Sequence, residues 1–357
     1  MLFEGETLFS HTPLDLSSPS IRLLEVLPGR SKDGRVRCTI RNSTISDEYT
    51  CLSYVWGSSE GLKKHKLIEI NDGIFEVRTN LWSFLDLASS ERARHNNLRL
   101  PSTYDEVFDF EGVTKSLWID ALCIDQGNLA ERNAQVQQMG AIYKNAKHVI
   151  SWLGRSEHAA PLLRRIRHEE GPHADETLLP SITWFESNAY WTRAWITQEI
   201  LLAQHLIIAA EEDAVIGRTV LEYFRRLPDP LRPHADSQCQ TLLRSHVQSQ
   251  TWTLLNHLSM FRDKGCTNPR DKVYSLLSVC RDTAWLKVDY NITKGRLAID
   301  VMRNCDGFCL CVAEVTLSAM FTEEPLSALH FAAFEGVEVS PCAPTKKRGW
   351  STASGTT

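Results

Sequence analysis

The chain has 357 residues, 43% of them hydrophobic and 23% charged, and a formal net charge of −5. That composition suits a globular core with room for a second domain, and mild acidity without a long basic run argues against a nucleic-acid partner. No apolar run approaches membrane-spanning length, no secretory signal is visible at the start of the sequence, and ten cysteines follow no disulfide framework, so reduced thiols in a cytosolic or nuclear setting, and a cytoplasmic location, are expected.

Taken in order, Ile21–Val26 reads as a strand closed by Pro28-Gly29, and Arg35–Ile40 as a second. Tyr49–Trp56 is a third, ending in Gly57-Ser58-Ser59. Lys66–Val77 suggests a hairpin about Asn71-Asp72-Gly73, and Thr79 or Asn80 can cap a helix from Leu81 to about Arg94. Residues 95–115 read as a loop.

The stretch from 116 to 154 organises the rest. Leu117–Ile124 has the profile of a buried strand bounded by Asp125, Gly127 and Asn128. Asn128 with Glu131 three residues on is a capping-box signal, and Leu129, Val136, Met139, Tyr143 and Ala146 share one face of the helix that follows. Val149–Leu153 is a second apolar run. Strand, capped helix and strand form a βαβ unit, for which adjacent parallel strands are expected. In open α/β sheets ligands sit beyond the carboxyl ends of the strands, and that edge carries Asp120, Cys123, Asp125 and Gln126.

Downstream, Ala159–Glu170 is an amphipathic helix and 171–176 a linker. Between Ser181 and Glu212, helical spacing puts Trp191, Trp195, Glu199 and Leu202 on one face with Gln198 beside them, and a strand follows at His205–Ala210. The pattern then turns mainly helical, and Asn268-Pro269-Arg270-Asp271 precedes a helix through Val279. The expected division is 1–48 as strands packing on the core, 49–212 as an α/β domain, 213–342 as a mainly helical region and 343–357 as a disordered tail.

Few chemical motifs survive inspection. Gly57-Ser58-Ser59-Glu60-Gly61 matches a nucleophile elbow, but Leu62-Lys63-Lys64-His65-Lys66 cannot bury the helix such an elbow needs. Cys305, Cys309 and Cys311 lack a histidine at zinc spacing, so no metal site is expected. No dinucleotide or P-loop fingerprint occurs. Glu199 stands out, because a carboxylate on an aromatic, apolar face is costly to bury unpaired, with Arg193 as a partner. Two readings stay open there: a structural Arg–Glu pair stapling helix to sheet, or a site carboxylate walled from water by Trp195. Asp120 is either a strand-end ligand or a cap on a neighbouring loop. Trp56, Trp118, Trp152, Trp191 and Trp195 are core residues one by one, and their clustering is compatible with an aromatic pocket.

Three blocks carry a resemblance. Tyr49-x-x-Leu52-Ser53-Tyr54-Val55-Trp56-Gly57, then Leu117 to Gln126, then Arg193-Ala194-Trp195-Ile196-Thr197-Gln198-Glu199-Ile200 resemble, in order and spacing, the motif blocks of the fungal heterokaryon-incompatibility (HET) domain. Asp125 stands where the family usually has Asn, and the stretch after about Cys342 departs from the family's continuation, so no large downstream domain is expected. The resemblance implies a module of non-self recognition and regulated cell death after hyphal fusion, with protein partners or self-association. It also implies remote similarity to Toll/interleukin-receptor-like domains and thus a flavodoxin-like, mostly parallel sheet with flanking helices. Some of those domains cleave NAD with a glutamate in a W-x-x-x-E helix, a pattern matched by Trp195 and Glu199. On that reading no resident cofactor is expected and NAD is a substrate. Glu199 would hold the ribose hydroxyls and steady an oxocarbenium-like transition state. Ser53, Trp56, Gly57, Ser58, Asp120 and Trp195 would line the cofactor, with Arg193, Gln198, Asp125 and Gln126 as motif residues.

Overall fold

The structure, a computed structural model, describes residues 7–57, 65–90, 110–168, 176–234, 237–248, 252–304 and 316. Ser58, the rest of the elbow-like stretch, most of the loop expected at 95–115, the linker at 171–175, the three clustered cysteines and the C-terminal tail lie outside the described residues.

The strands are β1 (Ser20–Arg30), β2 (Val36–Thr44), β3 (Thr50–Tyr54), β4 (His65–Ile70), β5 (Gly73–Arg78), β6 (Leu117–Trp118), β7 (His148–Trp152), β8 (Leu206–Ala210) and β9 (Asp213–Ile216). They form one mixed sheet, ordered β5-β4-β2-β1-β6-β3-β7-β8-β9. The helices that matter are α1 (Thr79–Ser89), α2 (Phe110–Thr114), α3 (Asp120–Cys123), α4 (Leu129–Asn145), α5 (Ala159–Arg167), α6 (Leu179–Ser187), α7 (Ile196–Leu201), α8 (Gly217–Arg226), α9 (Gln238–Gln248), α10 (Leu254–Met260), α11 (Asp271–Tyr274) and α12 (Lys294–Asn304). Helix α1 covers β1, β2, β4 and β5, whereas α5 and α8 cover β8 and β9. The α/β class read from the sequence holds, with a mainly helical region after β9. No helix among the described residues is long and apolar enough to cross a membrane.

Besides the parallel pair β2–β4, the continuous parallel run of the sheet is β6-β3-β7-β8. In chain order these four strands run second, first, third, fourth, the doubly wound order in which ligands sit where the winding reverses, between β3 and β7. All five residues of β3 and of β8 are buried, as befits strands covered on both faces. The outer pairings β4–β5, β1–β2, β1–β6 and β8–β9 are antiparallel.

Local signals translate well. The β4–β5 hairpin turns at Asn71 (φ 48°) and Asp72 (φ 63°), the two left-handed residues a tight primed turn demands. The Asn128 side chain accepts the Glu131 N–H at 3.2 Å, and α4 buries Val136, Met139 and Tyr143, with Ala146 buried just beyond its end, while Leu129 is exposed. Strand β1 passes the expected Pro28-Gly29 stop by a register irregularity between Val26 and Arg30, with Gly29 at φ 74°.

Six expectations are corrected. The loop expected at 95–115 carries α2 at Phe110–Thr114, and the helix expected through Val279 is only α11, Asp271–Tyr274, followed by turns. The strand expected over Leu117–Ile124 is only two residues long, because the chain folds into the α3 turn, where Leu122 and Cys123 N–H both bond the Ile119 carbonyl. The strands flanking α4 are parallel but not adjacent, since β3 lies between them and pairs with both. Neither Thr79 nor Asn80 caps α1: the cap is Arg78 without a side-chain bond. Asn80 instead donates to the Val55 carbonyl (2.8 Å) and accepts from Trp152 Nε1 (3.2 Å), tying together the ends of β3 and β7. The single helix over Trp191–Leu202 is a short 3-10 turn at Ala189–Thr192, an extended Arg193 (ψ 140°) and then α7.

Helix α4 meets the downstream region at Gly140, where an added Cβ would collide with Ser278 Cβ and Oγ. Gly140→Ala is expected to lower stability by about 1–3 kcal/mol through overpacking. Ser278→Gly in that background should restore most of the loss in a thermal melt, and a neutral Gly140→Ala would refute the close contact.

Candidate functional site

The site grows from β3 and β7. Ser53 and Ser151 are register partners on the two strands, so their hydroxyls rise from the same face at the reversal point. Tyr190, in the 3-10 turn, joins them: its hydroxyl donates to Ser151 Oγ at 2.7 Å and lies 2.7 Å from Ser53 Oγ. Ser53 Oγ in turn donates to Glu199 Oε2. All four residues are buried.

Arg193 supplies the positive charge. Its guanidinium donates to the Tyr54 carbonyl at the end of β3, and its charge acts on both Glu199 and Asp120. Burial pushes the Glu199 carboxyl up to about 7; Arg193 and the Ser53 hydroxyl pull the other way, and nearby Asp120 adds to the rise. Asp120 is also raised, again by burial first, against Arg193, the Trp56 indole and the Ala121 N–H. Its carboxylate accepts Trp56 Nε1 at 2.9 and 3.2 Å and the Ala121 N–H at 2.7 Å. The turn it opens has Ile119 as its N-cap without a side-chain bond, so the carboxylate is not a cap on a neighbouring loop.

Trp56 forms the boundary between this cluster and solvent. Beyond it lies a surface cleft of about 440 Å³, bordered by Trp56, Gly57, Arg78, Asn80, Trp82 and Arg155. Arg78 stacks on the Trp56 ring (5.6 Å to its centroid) and donates to the Gly57 carbonyl at 2.6 Å; Gly57 has φ 76°. Glu199 is 1% exposed and does not border the cleft among the described residues.

The fold therefore gathers Ser53, Trp56, Asp120, Arg193 and Glu199, with Gly57 on the cleft side of Trp56. Trp195 lies elsewhere: it is half-buried, and its indole hydrogen-bonds Asp271. Gln198 is buried with Nε2 unpaired. Asp125 accepts the Gly127 N–H at 3.0 Å, and exposed Gln126 donates to the Asp120 carbonyl at 3.0 Å. Sequence reasoning missed Ser151 and Tyr190. A serine in the middle of the apolar run from Val149 to Leu153 was the available signal, because a buried hydroxyl needs a partner.

It also missed a second buried cluster. Arg22 of β1 grips Glu131 bidentately (2.6 and 2.9 Å) and bonds the Cys123 carbonyl at 2.9 Å. Glu131 Oε1 accepts the Asp125 N–H at 2.7 Å. Burial alone would raise Glu131, but Arg22 and that N–H bring it below the usual carboxylate range. The capping box is thus half made, with its carboxylate turned to β1 and to the loop behind Asp120.

Residues 49–199 match the family described as heterokaryon incompatibility protein (HET). Among characterised relatives, Heterokaryon incompatibility protein 6, OR allele, of Neurospora crassa is 35% identical over 155 residues. That match covers 41% of this chain and 21% of the relative, so the chain spans about a fifth of that protein's length. No solved structure matches. Every residue of the buried cluster, from Ser53 to Glu199, falls inside the matched segment, so it is the segment 49–199 that is similar to the heterokaryon-incompatibility (HET) domain.

Proposed function

We propose that the chain acts in fungal non-self recognition as a cytoplasmic signalling and interaction module that triggers regulated cell death through self-association or a protein partner. The observation that carries this reading is the sealed carboxylate cluster: Glu199 is buried, bonded to Ser53 and screened from the nearest cleft by Trp56. Such a closed polar core specifies one arrangement of β3, α3 and α7, which suits a rigid module better than an open catalytic centre. On this reading the incompatibility domain runs over about 49–212 and shares the architecture of Toll/interleukin-receptor-like domains.

One observation favours a second reading, an NAD glycohydrolase. A carboxyl near 7, beside a hydroxyl relay and an arginine at the winding reversal, has the tuning expected of a catalytic group. In that chemistry the C1′–N bond breaks, its electron pair neutralises the pyridinium as nicotinamide leaves, and water supplies the hydroxyl and releases a proton. Glu199 would steady the oxocarbenium-like ribose, while Ser53, Asp120, Trp56 and Gly57, with Ser58, would line the nucleotide. Trp56 would first have to leave Asp120.

Nicotinamide release from NAD by purified protein, dilute and clustered, separates the two. The signalling reading predicts none in either state. Release by the wild type that Glu199→Gln abolishes would overturn it in favour of hydrolysis.

A further inference from the structure

The motif Asn268-Pro269-Arg270-Asp271-Lys272-Val273-Tyr274 lies beyond the matched segment and has no part in either functional reading. Each of its polar side chains nevertheless has a definite partner. Asn268 Oδ1 accepts the Arg270 N–H at 3.1 Å, and Arg270 Nε donates to the Ile292 carbonyl at 2.6 Å. Asp271 accepts the Tyr290 hydroxyl at 2.7 Å and the Trp195 indole. Lys272 Nζ donates to the Arg262 carbonyl at 2.6 Å and to the Lys264 carbonyl. Tyr274 donates to the Asp289 carbonyl at 2.9 Å.

Two of these side chains, Asp271 through the Trp195 indole and Lys272 through the Lys264 carbonyl, lead to the segment that carries Arg193. Gly265 forms a parallel bridge with it: Gly265 N–H donates to the Thr192 carbonyl (2.5 Å), and Ala194 N–H donates to the Gly265 carbonyl (2.8 Å). Lys264 Nζ donates to the Trp191 carbonyl, one position further back. The chain is therefore held at 191, 192, 194 and 195 by residues 264, 265 and 271, which leaves Arg193 extended and aimed at β3.

Both lysines are buried, and both ammonium groups donate to backbone carbonyls. An ammonium so placed is costly to desolvate, which makes it a poor device for stability alone and a good one for fixing position. We infer that Lys264, Gly265 and Lys272 form a clamp that positions Arg193 against Glu199 and Asp120, so that the downstream region is built into the site. The inference stands whether Glu199 serves signalling or hydrolysis.

The test is the titration of Glu199 in the full chain, followed by NMR with 13C-carboxyl-labelled glutamate and assigned by the signal that Glu199→Gln removes. Arg193→Gln sets the reference: loss of the cation should move the Glu199 midpoint upward by about one unit or more. Lys264→Met and Lys272→Met should move it the same way, because Arg193 is no longer held in place. Leu297→Ala in α12 is the control for lost stability; it empties a buried site that makes none of the clamp's hydrogen bonds and should leave the midpoint alone. Two lysine variants guard against one failing to fold. A wild-type midpoint in the folded lysine variants, or a shift opposite to that of Arg193→Gln, overturns the clamp and leaves both functional readings untouched.

Discussion

Removing either partner of the Arg22–Glu131 pair is expected to cost about 3–5 kcal/mol of folding stability. Both side chains are almost wholly buried, at 1% and 3% exposure, so Arg22→Met strands a carboxylate and Glu131→Leu strands a guanidinium. The loss should be larger than for any exposed pair, such as Lys147–Glu48, where about 0–1 kcal/mol is expected. Pairing the substitutions reverses the effect: with Arg22→Met and Glu131→Leu together, neither charge remains to be desolvated, and most of the loss should return. Urea unfolding of the two single variants and the double variant gives the coupling directly. Simple additivity would show that the pair does not hold β1 to α4. Because the folded Glu131 titrates below its unfolded value, this contribution is present above the ordinary carboxylate range and disappears as pH falls through the folded value.

Glu199 has the opposite sign. Its folded carboxyl titrates at about 7 against an ordinary 4.5, so the native state keeps its proton while the unfolded chain loses one. Wild-type stability should therefore fall as pH rises from about 4.5 to about 7 and then level off, a loss on the order of 3 kcal/mol from this group. Glu199→Gln cannot ionise and keeps a polar group within reach of Ser53. Measured by urea midpoints between pH 4 and 8, the variant should gain on the wild type by about that amount, with most of the change between pH 5 and 7. Parallel stability curves would mean that the carboxyl is hydrated in solution and the cluster open. This measurement needs no substrate and separates a sealed polar core from a wet site.

Several elements could be read locally, although the cap expected for α1 at Thr79 or Asn80 could not. The β1–β2 and β4–β5 strands, the Asn71-Asp72 turn, the α4 helix with its Asn128 cap, and the strand from 206 to 210 follow from side-chain period, turn chemistry and capping, all of which act within a few residues. The three blocks around Ser53, Asp120 and Glu199 could be recognised for the same reason, since each is continuous in the chain.

Tertiary structure decided how those blocks meet. Insertion of β3 between β6 and β7, diversion of Asn80 from capping to strand ends, and the pairing of Glu131 with Arg22 depend on contacts spanning about 70 to 110 residues, which leave no periodic trace. The break at Arg193 has the same origin: an extended residue inside a helical pattern is imposed by Gly265, far along the chain. Burial did the rest, because the seal that raises Glu199 is a property of everything packed around it and not of the residues beside it in sequence.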